Sequence, residues 1–394
     1  MSAWLHVVGI GADGLEGITQ HNQELVLSAE VLVGSPRHLD FAPDHGQMRI
    51  AWESPLADTF SHIEAHRSQT CVVLASGDPL WFGVATQLIG QFGADEVAIY
   101  PAVSSIQLAC SRLGWSVQDT IIVSLHGRPL QSLRQHLDHG RNLLVLSGPD
   151  SQASHVADFL QADGYPRAKI TVLERLGAES ERISVFDRQP HDPLAILAIE
   201  SGRPSGARLR PWSGMPDDAF EHDGKITKRE LRAMAIAKLA QAPGGVLWDI
   251  GAGSGAMAIE WLLSGAGSNA CALECDSARV GTIKRNAARF GVHLAICQGT
   301  APGAFDPLLR PDAIFVGGGL SDSRLLAECI HHLPANGRLV AHAVTLESEK
   351  TLLDAHQRYG GELIRIGIDR ASPVGHYHGW RPSMPVLQYA LTKS

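Results

Sequence analysis

The sequence predicts a two-domain α/β protein, and three observations carry that expectation. The chain has 394 residues, 44% hydrophobic and 19% charged, a globular composition long enough for two cores. Short apolar runs alternate with helical patterns through both halves. Between the halves, residues 201–213 read Ser-Gly-Arg-Pro-Ser-Gly-Ala-Arg-Leu-Arg-Pro-Trp-Ser, which suits neither helix nor strand. The expected division is therefore 1–203, a linker at 204–213, and 214–394.

In the first half, residues 5–10, 72–75, 97–100, 120–124, 143–147, 170–173 and 194–199 read as strands, alternating with helices as in a largely parallel sheet. In the second half, Thr227-Lys228-Arg229-Glu230 has the S/T-x-x-E form of a capping box before an apolar helix reaching about residue 240. Strands are expected at 246–250, 270–274, 294–297, 313–316, 338–341, 362–368 and 386–390.

Composition excludes several function classes. The formal charge is −8 and no basic run occurs, which disfavours nucleic acid as partner. No stretch of 18 apolar residues exists and no signal segment opens the chain, so neither membrane span nor export is expected. Six cysteines without a CxxC support neither zinc nor a disulfide framework and fit a reducing cytoplasm. His376 and His378 lack a nearby third ligand, so no metal is expected.

The strongest local pattern is an apolar strand ending in Asp249-Ile250-Gly251-Ala252-Gly253-Ser254-Gly255 and running into a helix at 256–264. Glycines at such a turn let a ligand approach the backbone, and the helix N-terminus offers free N–H groups. Glu274, at the end of the next strand, is placed to accept ribose hydroxyls. The spacing is not the G-x-G-x-x-G of dehydrogenases. It resembles the class I methyltransferases that bind S-adenosylmethionine. In that register Gln298-Gly299-Thr300-Ala301-Pro302 adjoins the adenine, and Val316-Gly317-Gly318-Gly319 ends the fourth strand.

The first half carries three small-residue loops after strands: Gly9-Ile10-Gly11-Ala12-Asp13-Gly14, Ser76-Gly77-Asp78-Pro79 and Pro101-Ala102-Val103-Ser104-Ser105. With Ser124-Leu125-His126-Gly127-Arg128 and the segment 174–183, they resemble the tetrapyrrole methylase family, or class III methyltransferases. Ala12-Asp13 stands where that family usually has Pro-Gly. The two domains in this order resemble a family of fused, decarboxylating precorrin methyltransferases of vitamin B12 (cobalamin) synthesis.

That resemblance implies S-adenosylmethionine as cofactor, one site per half. Gly9, Gly11, Gly77, Asp78, Pro79, Ser104, Ser105 and His126 would hold it in the first half. Asp249, Gly251, Gly253, Gly255, Glu274, Thr300, Ala301 and Gly317 would hold it in the second. It further implies methylation of ring carbons 5 and 15 of a precorrin, loss of carbon dioxide from the acetate on ring carbon 12, and a homo-oligomer. Candidates for the anionic tetrapyrrole are Thr227, Lys228, His342, Arg370 and Trp380, the last two in a tail that mixes cations with aromatics. Two alternatives stay open on the residues alone: a methyltransferase of another substrate, such as a cobalt-precorrin, RNA or protein, and a chain in which one half only binds.

Overall fold

The computed structural model describes residues 3–137, 140–148, 151–192, 195–205, 213–265, 267–305 and 308–394. The chain forms two compact units, Met1–Leu130 with His136–Gly206, and Gln131–Gln135 with Ala207–Ser394. Most of the expected linker, 206–212, lies outside the described residues, as does Leu194, the expected start of a strand.

The first unit opens with β1 (Leu5–Ile10), α1 (Gln20–Leu27), β2 (Val31–Gly34), α2 (Pro36–Leu39), β3 (Met48–Ala51), α3 (Leu56–Ala65), β4 (Cys71–Ser76), α4 (Ala85–Phe92) and β5 (Val97–Tyr100). These strands form a parallel sheet in the order β3-β2-β4-β1-β5. Helices cover both faces, so β1 and β4 are apolar almost throughout rather than alternating. β2 and β3 are not among the strands read from the sequence, and β3 is a half-exposed edge interrupted by Arg49.

A second sheet follows, from α5 (Ser105–Leu113), β6 (Thr120–Ser124), β7 (Asn142–Leu146), α6 (Ala153–Ala162), β8 (Lys169–Glu174), β9 (Arg182–Val185) and β10 (Ile196–Glu200). Its order is β6-β7-β10-β8-β9, and only the β6–β7 pair is parallel. The expectation of one largely parallel sheet is corrected here. β10 enters between β7 and β8 and pairs antiparallel with both, a choice made by long-range pairing that local periodicity does not encode.

The second unit contains α7 (Arg229–Leu239), β11 (Val246–Ile250), α8 (Ala256–Ser264), β12 (Asn269–Glu274), α9 (Ser277–Phe290), β13 (Ala295–Gln298), β14 (Ala313–Val316), α10 (Ser323–His332), β15 (Arg338–Ala343), α11 (Leu346–Tyr359), β16 (Glu362–Ile366), β17 (Asp369–Val374), β18 (Tyr377–Pro382) and β19 (Val386–Thr392). Seven strands form one sheet in the order β13-β12-β11-β14-β15-β19-β16, with β19 antiparallel to both neighbours. This is the Rossmann-like class I methyltransferase arrangement. The cores lie on its two faces, one centred on Trp261 and Phe315, the other on Trp248 and Leu352. β17 and β18 pair only with each other, as a hairpin that the sequence reading treats as tail.

Thr227 does not cap α7. The N-cap is Lys228, without a side-chain hydrogen bond. The helix starts one residue later than the box requires, so Glu230 does not stand at the third position, and it pairs instead with Arg370 at 2.7 Å.

Candidate functional site

In the second unit the chain leaves β11 with Gly251, Gly253 and Gly255 at φ of +71°, +57° and +76°. Only glycine adopts such values without strain. A Cβ at Gly255 would lie 2.9 Å from Ile283 Cγ2, and one at Gly251 would lie 3.0 Å from Gly318 N, so both are packing glycines. A Cβ at Gly253 would meet only the Lys225 carbonyl, at 3.6 Å. Gly253 therefore faces open space, which is the cradle a nucleoside-type ligand needs.

Buried polar groups hold this turn. Glu274 Oε2 accepts from Gly253 N at 2.8 Å, and its Oε1 from Asp276 N at 3.1 Å. Asp249 Oδ2 accepts from Ala258 N in the first turn of α8 at 3.1 Å. Burial pushes the Asp249 carboxyl up to about 7, with the nearby Glu274 charge acting in the same direction. Asn286 on α9 donates to the Ser254 and Glu221 carbonyls, both at 2.9 Å, and so ties the turn to the segment before α7.

That segment is held by Arg232, which is 0% exposed. It donates to Glu260 and Asp217, both at 2.8 Å, and to the Thr227 and Met215 carbonyls, with its guanidinium over the Phe220 ring. Glu260 also accepts from Gly214 N and Met215 N. The sequence reading missed Arg232, Glu260 and Asn286. Their signal is a polar residue within an apolar helical stripe: Arg232 beside Leu231, Ala235 and Leu239, and Asn286 beside Val280, Ile283 and Ala287.

Of the other expected residues of this unit, only some adjoin the glycine turn. Gly299 N donates to the Glu274 carbonyl, and the exposed Thr300 and half-buried Ala301 follow on the turn. Gly317 N donates to the Ile250 carbonyl, placing Gly317 beside the glycine turn. His342 is buried on β15, with Nε2 2.9 Å from Gln388 Oε1 and its ring edge-on to Phe315. Lys228 lies 3.7 Å from Asp217. Arg370 is tethered to α7 through Glu230, whereas Trp380 stands 76% exposed on the hairpin, away from the glycine turn's own contacts.

In the first unit, three loops meet at the C-terminal edge of the parallel sheet. Gly77 N donates to the Ile10 carbonyl at 3.0 Å, and Ala102 N to the Gly77 carbonyl at 3.2 Å. A Cβ at Gly9 would fall 2.0 Å from Gly77 O, and one at Gly77, where φ is +58°, 2.8 Å from Ser104 Cα. At Gly11 it would strike the Asp13 carboxylate. Asp78 Oδ1 accepts from Leu80 N at 2.9 Å, and the Pro79 carbonyl from Ala85 N. Ser104 and Gln107 form a capping box that starts α5, with Ser105 exposed at its first position. His126 lies apart from these loops, beyond β6, where it adjoins Gly148.

His38 was not foreseen. It is buried at the same edge, with Nε2 3.1 Å from Ser76 Oγ and 3.2 Å from Arg37 Nη2, and Phe41 stacked on its ring. Burial, and then the Arg37 charge, push its pKa down to about 4.

Among the described residues no helix is long and apolar enough to cross a membrane. Comparison with known proteins separates the halves in the same way. Residues 4–188 match the model of tetrapyrrole (corrin/porphyrin) methylases, and residues 218–393 that of a precorrin methyltransferase domain. A cobalt-precorrin-7 C(5)-methyltransferase of Salmonella typhimurium is 34% identical over 45% of this chain and 88% of its own length. A probable cobalt-precorrin-6B C(15)-methyltransferase (decarboxylating) of Pyrobaculum calidifontis is 35% identical over 42% of this chain and 88% of its own. A precorrin-6Y C(5,15)-methyltransferase [decarboxylating] of a Sinorhizobium species is 44% identical over 100% of this chain and 97% of its own length. With two family models matched along one chain and a relative that matches from end to end, this protein belongs to the precorrin-6Y C(5,15)-methyltransferase (decarboxylating) family.

Proposed function

We propose that the chain is a bifunctional S-adenosylmethionine-dependent methyltransferase of cobalamin synthesis. The first unit methylates a precorrin at ring carbon 5. The second methylates ring carbon 15 and removes carbon dioxide from the acetate on ring carbon 12. The observation that carries this is the full-length match to a C(5,15)-methyltransferase, and the two half-length relatives support one reaction in each half.

Each unit takes one S-adenosylmethionine, which supplies an electrophilic methyl group when bound. The open flank at Gly253 fits such a ligand, with Gly251 and Gly255 shaping the turn and Glu274 beside it for the ribose. Thr300, Ala301 and Gly317 line the neighbouring loops. In the first unit the Gly9, Gly77 and Ala102 backbones make the corresponding floor, with Gly11, Asp78, Pro79 and Ser105 at its rim, Ser104 starting α5 beneath it, and His126 further out. The chain's task is alignment of donor and acceptor carbon, worth about 7–11 kcal/mol when reacting groups are well placed. Lys228, Arg370 and His342 serve the anionic substrate, with Thr227 next to Lys228 in the chain and Trp380 offering an exposed aromatic ring. The exposed Val374 and Tyr377 of the hairpin support a homo-oligomer. Six unpaired cysteines fit a cytoplasmic enzyme, and the acidic balance disfavours a nucleic-acid substrate.

Product mass tests the reading. Precorrin-6Y and S-adenosylmethionine should yield a product with two added methyl groups and one carbon dioxide lost, and calorimetry should count two cofactor sites per chain. A product that keeps its carboxylate, or a single site, overturns it. Running the cobalt-containing substrate in parallel shows which form the enzyme takes.

A further inference from the structure

The assigned chemistry poses a proton-balance problem. When a meso carbon bearing one hydrogen is methylated, the carbon–methyl bond forms as the sulfonium carbon–sulfur bond breaks. The carbon then gives up its hydrogen as a proton, and the C–H electron pair returns to the ring π-system. When the acetate loses carbon dioxide, its C–C bond breaks and the pair passes into the conjugated imines. That pair returns to the acetate-derived carbon as it takes up one proton and becomes a methyl group. One proton leaves, one is consumed, and no oxidant or reductant is needed. A single group that accepts a proton and hands it on would couple the two steps.

Two carboxylates near the glycine turn already serve other partners: Asp249 accepts from Ala258 N, and Glu274 from Gly253 N and Asp276 N. His342 is different. Val316 of β14 pairs with Ala341 of β15, so His342 follows at the level of Gly317, at the ligand edge of the sheet. The Phe315 ring lies edge-on to His342, with centroids 5.0 Å apart, and its Cε1 would be 3.0 Å from a Cβ at Gly317. His342 and Gly317 thus share one ring as neighbour.

The partner of His342 sets its tautomer. Nε2 lies 2.9 Å from Gln388 Oε1, and with that oxygen as acceptor the bond takes the tautomer that has the hydrogen on Nε2 and the lone pair on Nδ1. Burial holds the ring's pKa below its usual value, opposed by the Gln388 bond, so the ring rests neutral. Gln388 is 1% exposed, and its Nε2 has no hydrogen-bond partner among the described residues.

We propose that His342, oriented by Gln388, carries the proton from ring carbon 15 to the acetate-derived carbon and so couples methylation to decarboxylation. The assignment rests on the functional reading above. Nδ1 takes the proton leaving the methylated carbon, Gln388 Oε1 steadies the resulting imidazolium through Nε2–H, and Nδ1 then delivers the proton to the carbon that has lost carbon dioxide. His342 is the catalytic residue in this scheme and Gln388 a positioning residue.

The test uses the full chain with precorrin-6Y and S-adenosylmethionine. It reads carbon dioxide release, product mass, and cofactor affinity by calorimetry. His342→Gln should slow carbon dioxide release by about 100-fold or more, still add the carbon-5 methyl group, and leave cofactor affinity within about twofold. Free imidazole should restore part of the activity of His342→Ala. Gln388→Leu should lower kcat about tenfold with KM unchanged, and Gln388→Glu, which still accepts from Nε2–H, should recover most of it. Wild-type carbon dioxide release in His342→Gln, a matching loss of cofactor affinity, or no rescue by imidazole overturns the proposal. If the unmodified chain releases no carbon dioxide, the functional reading falls first and this assignment with it.

Discussion

The glycine-rich sheet edges of the two units are braced differently. In the second unit, buried side-chain carboxylates and amides hold the glycine turn: Asp249, Glu274, Asn286 and, one layer out, Arg232 with Glu260. In the first, backbone bonds between loops do most of this, Gly77 to Ile10 and Ala102 to Gly77, with His38 and Ser76 as the buried polar contact. A side-chain brace can be removed by one substitution that leaves the chain path intact. A backbone brace can be broken only by filling the space it occupies. The two units should therefore fail in different ways.

The largest expected effect is on activity. Gly253→Arg places a side chain where only glycine tolerates the backbone and where the ligand would lie. It should abolish carbon-15 methylation and carbon dioxide release together and leave the carbon-5 methyl group. Asp78→Arg should do the reverse, giving one methyl group and normal carbon dioxide loss. Product masses from the two variants check this, and loss of both methyl groups from a folded Asp78→Arg protein would break the division.

Next is stability. Arg232→Ala strands Glu260, which is itself 0% exposed, and should destabilise the second unit by about 3–5 kcal/mol. Denaturant unfolding followed by tryptophan fluorescence reads this. Expression of residues 1–203 and 210–394 as separate pieces shows whether each unit melts cooperatively by itself.

Glu274→Ala removes the acceptor of Gly253 N as well as the expected ribose contact. A charge-assisted hydrogen bond is worth about 1.5–3 kcal/mol, so cofactor affinity at that site should fall at least about tenfold by calorimetry. Unchanged affinity would make Glu274 a brace for the turn alone.

The smallest effects separate the units by sign. Asp249 keeps its proton in the native protein up to about pH 7, while the unfolded chain has released it above its usual value near 4. Rising pH through that window therefore costs the second unit stability. His38 is raised from neutrality only near pH 4, while the unfolded chain charges below about 6.5. Falling pH through that window therefore costs the first unit stability. Relative to wild type, Asp249→Asn should gain melting temperature as pH rises from 4.5 to 7.5, and His38→Gln should lose it over the same range. Parallel trends would remove one of the two groups from the account.

By itself, the sequence determined the two-part α/β plan, the strand–glycine turn–helix of the second unit and the order of its strands along the chain. These are local: apolar runs bury strands, glycines permit positive φ at Gly251, Gly253 and Gly255, and β11 and α8 begin and end where their residues change character. Tertiary packing alone settled the pairing of β10 between β7 and β8, the hairpin of β17 and β18, the pairing of Glu230 with Arg370 in place of a capping box, and the partners of Arg232, Asn286, His38 and His342. Each of these depends on groups distant in sequence. A buried polar side chain must find a partner wherever the fold brings one, and the identity of that partner is written in the packing of the whole unit rather than in its neighbours along the chain.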